Sequence, residues 1–430
     1  MRNLLVLLLI GHICYSLSIS NCTTISKAGS YELNRNLSGA PFGTEYGVSV
    51  LSYYTYCLRI NSSDVSLNCN GYSINATDSV KDYFGIVVQG SNNLSDSNSI
   101  SNISISNCKI SGYYVSILLG QANYSTIDNL SSSNEHYGSL IYKSDFIRVS
   151  NSLVTKPLKA GFYMFESPGN IEFFNNTVNG GFSPTILGGK KHTFFNYGYF
   201  ITGENISILN NSAINTSGEG FHMENISNAD VAHNFAIDNN GNGFIILNST
   251  NVIFQSNILK NNDFFLSKNN LSRLYQNSFF GSVYIENSKY QDIFNNTINS
   301  SATDGAAVFN SSFINLQSNY IFNSKYSGFK ILFSSDLQLQ NNAYCYSNFL
   351  EGGRPYPIVD LQYSNSSNIT IKNITCDHSY PEGLCSNPCP EITTQEPATT
   401  PTKIHQGCFS LAILLSICLG VFSSVLKVRA

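Results

Sequence analysis

The strongest constraint on this chain is that it repeats itself. Residues 218–237 read GEGFHMENISNADVAHNFAI and residues 241–259 read GNGFIILNSTNVIFQSNIL, the same unit at a period of 23 residues. Each copy has a Gly-x-Gly-Phe entry, an alternating stretch, an Asn and polar turn, a second alternating stretch, another Asn and a last short apolar stretch. A unit this short buries its apolar side chains only by stacking on its copies. The most regular position is the Asn that closes the second stretch, at Asn176, Asn211, Asn234, Asn257, Asn277, Asn296, Asn319 and Asn342. The steps are 19 to 23 residues, except 35 between Asn176 and Asn211, which implies an inserted loop. Apolar residues stand five and three positions before this Asn and two after it, as Val252, Phe254 and Leu259 do around Asn257. Weaker copies place Asn70, Cys108, Leu130, Ser152 and Ile374 in the slot.

Alternation with period two means strands with one buried face. Strands of four or five residues, cut by polar turns every seven or eight, are too short for a helix. Asn tolerates the left-handed backbone of a sharp corner, and stacked carboxamides can bond from copy to copy as they do in cross-β ladders. Three short strands in 19 to 23 residues predict a parallel β-helix. A leucine-rich repeat shares the period, but its Leu-x-x-Leu-x-Leu strand and helical return are missing.

On these residues the units resemble the right-handed parallel β-helix repeats of the pectate-lyase-like superfamily, in particular NosD-like and carbohydrate-binding and sugar-hydrolysis repeats. The opening YCLRINSSDVSLNCNGYSI, residues 56–74, resembles the first coil of secreted archaeal surface β-helix proteins. The resemblance covers about residues 21 to 378 and implies an all-β, single-stranded right-handed parallel β-helix of about 12 coils. It says little about activity, because the fold hosts lyases, hydrolases, epimerases, adhesins and non-catalytic binders. The clusters of the superfamily's enzymes are absent: no Asn-Thr-Asp, Gly-Asp-Asp, Gly-His-Gly, Arg-Ile-Lys or Asp-Pro-His-Asp occurs. Arg is scarce in the middle of the chain, where Arg148 and Arg273 stand alone. Three Met are too few for the soft-ligand copper chemistry that the NosD name would imply.

The ends set the expected compartment. Residues 1–20, with the run RNLLVLLLIGHICYSLS, read as a signal peptide, a retained anchor being the alternative. The uncharged run 408–426 is just long enough to span a bilayer. Lys427 and Arg429 after it leave residues 427–430 as a cytoplasmic tail, which makes this a single-pass cell-surface protein with an external N-terminal domain. A GPI signal is the other reading of that tail. Between the ends come an irregular cap at 21–56, the β-helix at 57–378 and a Cys/Thr/Pro-rich stalk at 379–407. Eight Cys fall outside the apolar ends, at 22, 57, 69, 108, 345, 376, 385 and 389, clustered at the two ends of the solenoid. An even number there fits disulfides; Cys385-x-x-x-Cys389 also reads as a metal pair. Net charge is −4 with no basic patch, so nucleic acid is not an expected partner. Roughly twenty Asn-x-Ser/Thr sequons point to a glycoprotein.

Two insertions, 180–198 and 348–363, carry Gly-Gly and Pro and could fold back over a sheet. The Gly-Phe strands align as GFYMFE at 161, GFHME at 220, GFIILN at 243, GAAVFN at 305 and GFKILF at 328. Alternation turns Phe162, Met164, Phe221, Met223, Phe244, Ile246, Phe329 and Ile331 inward. It turns Tyr163, Phe165, His222, Glu224, Ile245, Leu247, Phe309, Lys330 and Leu332 outward, a strip suited to a polysaccharide or surface glycan. Tyr163, Phe165, His222, Glu224 and Lys330 are the candidate ligand contacts. Glu219, His222 and Glu224 are the candidate acid–base group. The readings for function are three: non-catalytic glycan binding or adhesion, a polysaccharide lyase or glycoside hydrolase, and a structural envelope protein. None implies a cofactor or metal.

Overall fold

Each copy of the repeat folds into one coil of three strands. In the copy that starts at Gly243, Phe244–Leu247 joins a first sheet, Thr250–Gln255 a second and Ile258–Lys260 a third. Each pairs in parallel with its counterpart one coil on, Phe244 opposite Phe264, Phe254 opposite Leu274 and Leu259 opposite Phe279. The computed structural model describes residues 16–45, 53–78, 83–90, 98–181, 186–187, 190–191, 196–299, 303–346 and 359–390. Among these the third sheet has 13 strands, from Leu37–Ser38 to Ala343–Cys345, against the dozen coils expected. No helix occurs among the described residues, and none is long and apolar enough to cross a membrane. The segment 408–426, most of the stalk and signal, and most of both insertions lie outside the described residues.

The solenoid register begins before residue 57. Gly29–Leu33 pairs in parallel with Val65–Asn68, and Leu37–Ser38 with Ser73–Asn75. Even Leu17–Ile19 pairs with Gly29–Leu33, and Ile19 is buried. A signal ending at Ser20 would remove that outermost strand, whereas processing before Leu17 would keep it.

Alternation holds as the sequence requires. Phe162, Met164, Phe221, Met223, Phe244, Ile246, Phe329 and Ile331 are all buried in the solenoid interior. Equivalent rings stack from coil to coil: Phe162 on Tyr199 at 5.1 Å, Tyr199 on Phe221 at 4.5 Å and Phe221 on Phe244 at 4.2 Å between centroids. Gly before the Phe is demanded by space, since a Cβ on Gly220 would lie 2.6 Å from the carbonyl oxygen of Gly243.

The Asn column is a buried ladder. The Nδ2–H of Asn234 donates to Oδ1 of Asn257 at 3.0 Å, and that of Asn257 to Oδ1 of Asn277 at 3.2 Å. The same Oδ1 of Asn257 accepts the backbone N–H of Asn234 at 2.9 Å, and its Nδ2 also donates to the Val231 carbonyl at 2.8 Å. This pattern runs from Asn176 to Asn342, and every carboxamide in it is buried. One expectation is corrected here. The left-handed residue of the corner is the one before the column, such as Asn175, Asn210, His233, Ser256 and Asn341, and not the column residue itself. The column Asn keeps an ordinary backbone so that its side chain points inward, and its neighbour makes the turn. Towards the N-terminus Ser152, Leu130 and Cys108 continue the slot, but Asn70 is itself a left-handed, exposed turn residue. Cys69 takes the stacking role there through its disulfide to Cys108.

The remaining disulfides are Cys22–Cys57, Cys345–Cys389 and Cys376–Cys385, so all four lie toward the two ends of the solenoid, where the outermost strand edges are otherwise open. Cys385 and Cys389 belong to two different bridges, which removes the metal reading of that pair.

One buried polar group is held in its neutral form. Glu135 is fully buried; Ser132 Oγ donates to its Oε1, and Ser132 is itself 2.9 Å from Ser116 Oγ. Burial pushes its carboxyl up to about 8 from an ordinary 4.5, against the weaker pull of the Ser132 hydrogen bond. The folded state therefore holds a proton that the unfolded chain releases above about pH 4.5. Stability from this group is complete below that pH and is lost as pH rises through about 8. The wild type should lose on the order of a few kcal/mol between pH 5 and 9. Glu135→Gln should flatten that slope and melt higher than wild type at pH 9, as differential scanning calorimetry across the range would show.

Candidate binding face

The outer face of the first sheet is built by register. Leu118, Leu140, Tyr163, Phe200, His222, Ile245, Phe265, Tyr284, Ala307 and Lys330 follow one another in successive coils. A parallel column two residues on includes Tyr142 and Phe165, then Glu224, Leu247, Ser267, Glu286, Phe309 and Leu332. Between residues 83 and 222 the rings on this face touch without a break. Tyr83 meets Tyr114 at 5.5 Å, Tyr114 meets Tyr137 at 5.9 Å, and Tyr137 meets Tyr163 edge-on at 5.2 Å. Tyr163 stacks on Phe200 at 4.6 Å, and Phe200 on His222 at 5.0 Å. His136 stacks on Tyr114 at 4.2 Å, and Lys159 Nζ sits 3.1 Å from the Tyr114 hydroxyl. Tyr142 and Phe165 form a flank, 4.7 Å apart.

The ionisable residues gather at one end of this band. His222 Nδ1 is 2.6 Å from Glu219 Oε2, and its Nε2 is 3.6 Å from Glu224 Oε2. His222 is buried under Tyr197 and Phe200, and its Nε2 makes no hydrogen bond. Burial raises the Tyr197 hydroxyl above the usual tyrosine range, and the nearby Glu219 carboxylate adds to this. Burial does the same to Tyr163. Tyr137 is raised further, first by burial and then by Tyr114. These hydroxyls therefore remain protonated donors at neutral pH.

Tyr163, Phe165 and Glu224 stand partly buried beside His222 within a few coils, so the structure brings four of the five predicted contacts together. Lys330 does not join them. It lies five coils beyond His222, about 24 Å at the spacing of paired strands, and pairs with Asp304 at 3.8 Å. Of the outward residues, Ile245 is buried by its neighbours and Phe309 is exposed. Tyr114, Tyr137, His136, Lys159, Tyr197 and Phe200 belong to the face but were not singled out by sequence. The signal for Phe200 was present, since Gly198-Tyr199-Phe200 fills the slots of Gly220-Phe221-His222.

The family model described as "Right handed beta helix region" matches residues 185–344. The described residues have the fold of a parallel β-helix. Solved structures overlay most of this β-helix. An A-module of mannuronan C-5 epimerase AlgE6 from Azotobacter vinelandii is similar at 10% identity and TM-score 0.45, over 87% of this chain and 91% of that one. PfbA, a surface adhesin of Streptococcus pneumoniae, is similar at 13% identity and TM-score 0.35, over 82% and 85%. A double mutant of the tailspike protein of E. coli bacteriophage HK620 is similar at 10% identity and TM-score 0.39, over 81% and 72%. No curated protein matches it in sequence.

Elsewhere on the β-helix, Asp360, Asp377 and Cys389 come together near the C-terminal end. Their atoms are already engaged: Asp360 Oδ2 accepts the N–H groups of Asp377 and His378, Asp377 Oδ1 accepts that of Cys389, and Cys389 is in a disulfide. This group closes the end of the solenoid.

Proposed function

We propose that this β-helix binds a polysaccharide along the aromatic outer face of its first sheet, without catalysis, and that the segment 408–426 holds it outside the cell. The observation that carries the reading is the continuous band from Tyr83 to His222, in which ring after ring is in contact and the rings from Tyr83 to Phe200 stay partly open to solvent. Its edges are largely polar, with the hydroxyls of Tyr114, Tyr137, Tyr163 and Tyr197, the imidazole of His222 and the carboxylates of Glu219 and Glu224. Such edges suit sugar hydroxyls, and the ring faces at the ends of each stack suit pyranose faces. Coils about 4.8 Å apart form a ladder near the rise of one sugar residue, so an extended chain would meet equivalent contacts in turn. Affinity of an open face is modest, because little surface is desolvated per sugar. On this reading the signal lies before Leu17 and the stalk after Cys389, since Leu17–Ile19 pairs into the solenoid and Ser379–Tyr380, Cys385 and Cys389 are paired or bridged to its last coils.

A second reading rests on one observation, the 2.6 Å Glu219–His222 contact beside an Nε2 that makes no hydrogen bond, which is the arrangement of a general base and its orienting carboxylate.

Polysaccharide arrays with the full chain in detergent test the main reading. Tyr163→Ala with Phe165→Ala should weaken binding by roughly tenfold or more and lower stability by about 1–3 kcal/mol, the loss of two partly buried rings. Undiminished binding by the folded double variant would sink the proposal. New reducing ends in the same incubation, abolished by His222→Gln, would replace binding by catalysis. Protease added to intact cells should remove the β-helix, and its full protection beside a cytoplasmic marker would contradict the anchoring.

A further inference from the structure

The corner between the first and second sheets carries two left-handed residues per coil, the first at Asn225, Asn248, Lys268, Asn287, Asn310 and Phe333 and the second three positions on. In successive coils the second of them is Asn228, Asn251, Leu271, Tyr290, Phe313 and Asp336. Asn and Asp are what such a backbone favours, and they bond to one another along the ridge: Asn251 Nδ2 donates to Asn228 Oδ1 at 2.8 Å. Leu271, Tyr290 and Phe313 break that pattern. Each has φ between 54 and 56°, a conformation that disfavours side chains of this bulk, and each is about half exposed, at 57, 49 and 47%. Neither the ladder bond nor burial compensates for the backbone in the free molecule.

The same ridge shows the same exchange a second time, at Tyr124 and Phe146, which are left-handed, 57 and 45% exposed and stacked at 4.5 Å. The two clusters lie on one corner, five coils or about 24 Å apart. Contacts repeated along a line suit an extended surface better than a pocketed ligand. The ring geometry narrows the choice. Tyr290 and Phe313 stack at 4.8 Å with 10° between their planes, so they hide their faces in each other and present edges. Unlike the first sheet, whose edges are mostly polar, this ridge offers the edge of Phe313 and the methyls of Leu271, which is a poor platform for sugars. Lys268 and Lys289 border it and have no ion-pair partner among the described residues, whereas Arg273 is turned to Asp292 at 3.9 Å. Exposed aromatic and aliphatic side chains beside unpaired lysines match the interface of an anionic lipid bilayer.

We propose that this ridge is a lipid-contact edge, which lays the solenoid along a membrane surface and leaves the first sheet's face free. The test uses the full chain, which contains no Trp. Phe313→Trp places the single indole on the ridge, and Phe235→Trp, at an exposed site on the third sheet, is the control. The protein is made without N-linked glycans, because sequons at Asn123 and Asn270 border the two clusters. The probe is vesicles of phosphatidylcholine with phosphatidylserine, carrying brominated acyl chains. They should shift the indole emission of the Phe313→Trp protein to the blue and quench it, and leave the emission of the Phe235→Trp protein unchanged. Adding Leu271→Asn and Tyr290→Asn to the Phe313→Trp reporter should weaken the effect by roughly tenfold. These changes restore the residue the repeat uses elsewhere, so the variant should melt no lower than its parent. If Phe313→Trp does not fold, Tyr290→Trp serves as the reporter. Equal quenching at both sites, no quenching at the ridge, or an effect that survives the Asn substitutions overturns the proposal.

Discussion

Eight buried carboxamides hold this solenoid in register. Each ladder Asn satisfies a backbone N–H of the preceding coil with its oxygen and a strand carbonyl with its nitrogen, and all but the last, Asn342, reach the next with the nitrogen as well. In an interior built mostly of Phe, Ile, Leu and Val, such groups are costly unless every one is paired. A slip of one residue between coils would leave a row of them unpaired, so the ladder selects the register more sharply than apolar stacking can. Serine supplies a thinner version at the first corner, where Ser288, Ser311 and Ser334 accept backbone N–H groups in turn.

Fixed register is what makes a long face possible. Because residue 222 lies over residue 200 and residue 200 over residue 163, side chains from coils separated by the inserted loop form one continuous band. The interior rings follow the same rule, so inward and outward aromatic stacks run side by side on opposite faces of one sheet. The same rigidity keeps bulky left-handed residues in place on the corner ridge, where a looser backbone would relax them.

The coil and its inward and outward faces were legible because a period of two and a recurring Asn are local signals. The corner was legible only to within one residue. Asn175-Asn176 and Asn210-Asn211 offer two Asn at the turn, and composition alone does not say which bends the backbone and which points inward. His233 and Ser256 in the turning slot show that the ladder, not the bend, demands Asn. The binding face was legible in part. Tyr163, Phe165, His222 and Glu224 stood out on aligned strands, while Tyr114, Tyr137 and Phe200 join them only through registers set on either side of an insertion. Lys330 shared their alternation but not their neighbourhood, because position along a solenoid axis is the sum of all intervening coils. Disulfide partners were beyond reach for the same reason.

The account depends most on the claim that the buried ladder, and not the stack of apolar residues alone, specifies the coils. Asn257→Ala removes four ladder hydrogen bonds and orphans Asn234 and the Val231 carbonyl, whereas Asn251→Gly removes one exposed bond at a backbone that glycine accepts. Urea unfolding with the disulfides intact compares the two directly. The account predicts a loss of about 2–4 kcal/mol for Asn257→Ala and less than about 1 kcal/mol for Asn251→Gly. Equal losses, or a loss below about 1 kcal/mol at Asn257, would contradict it.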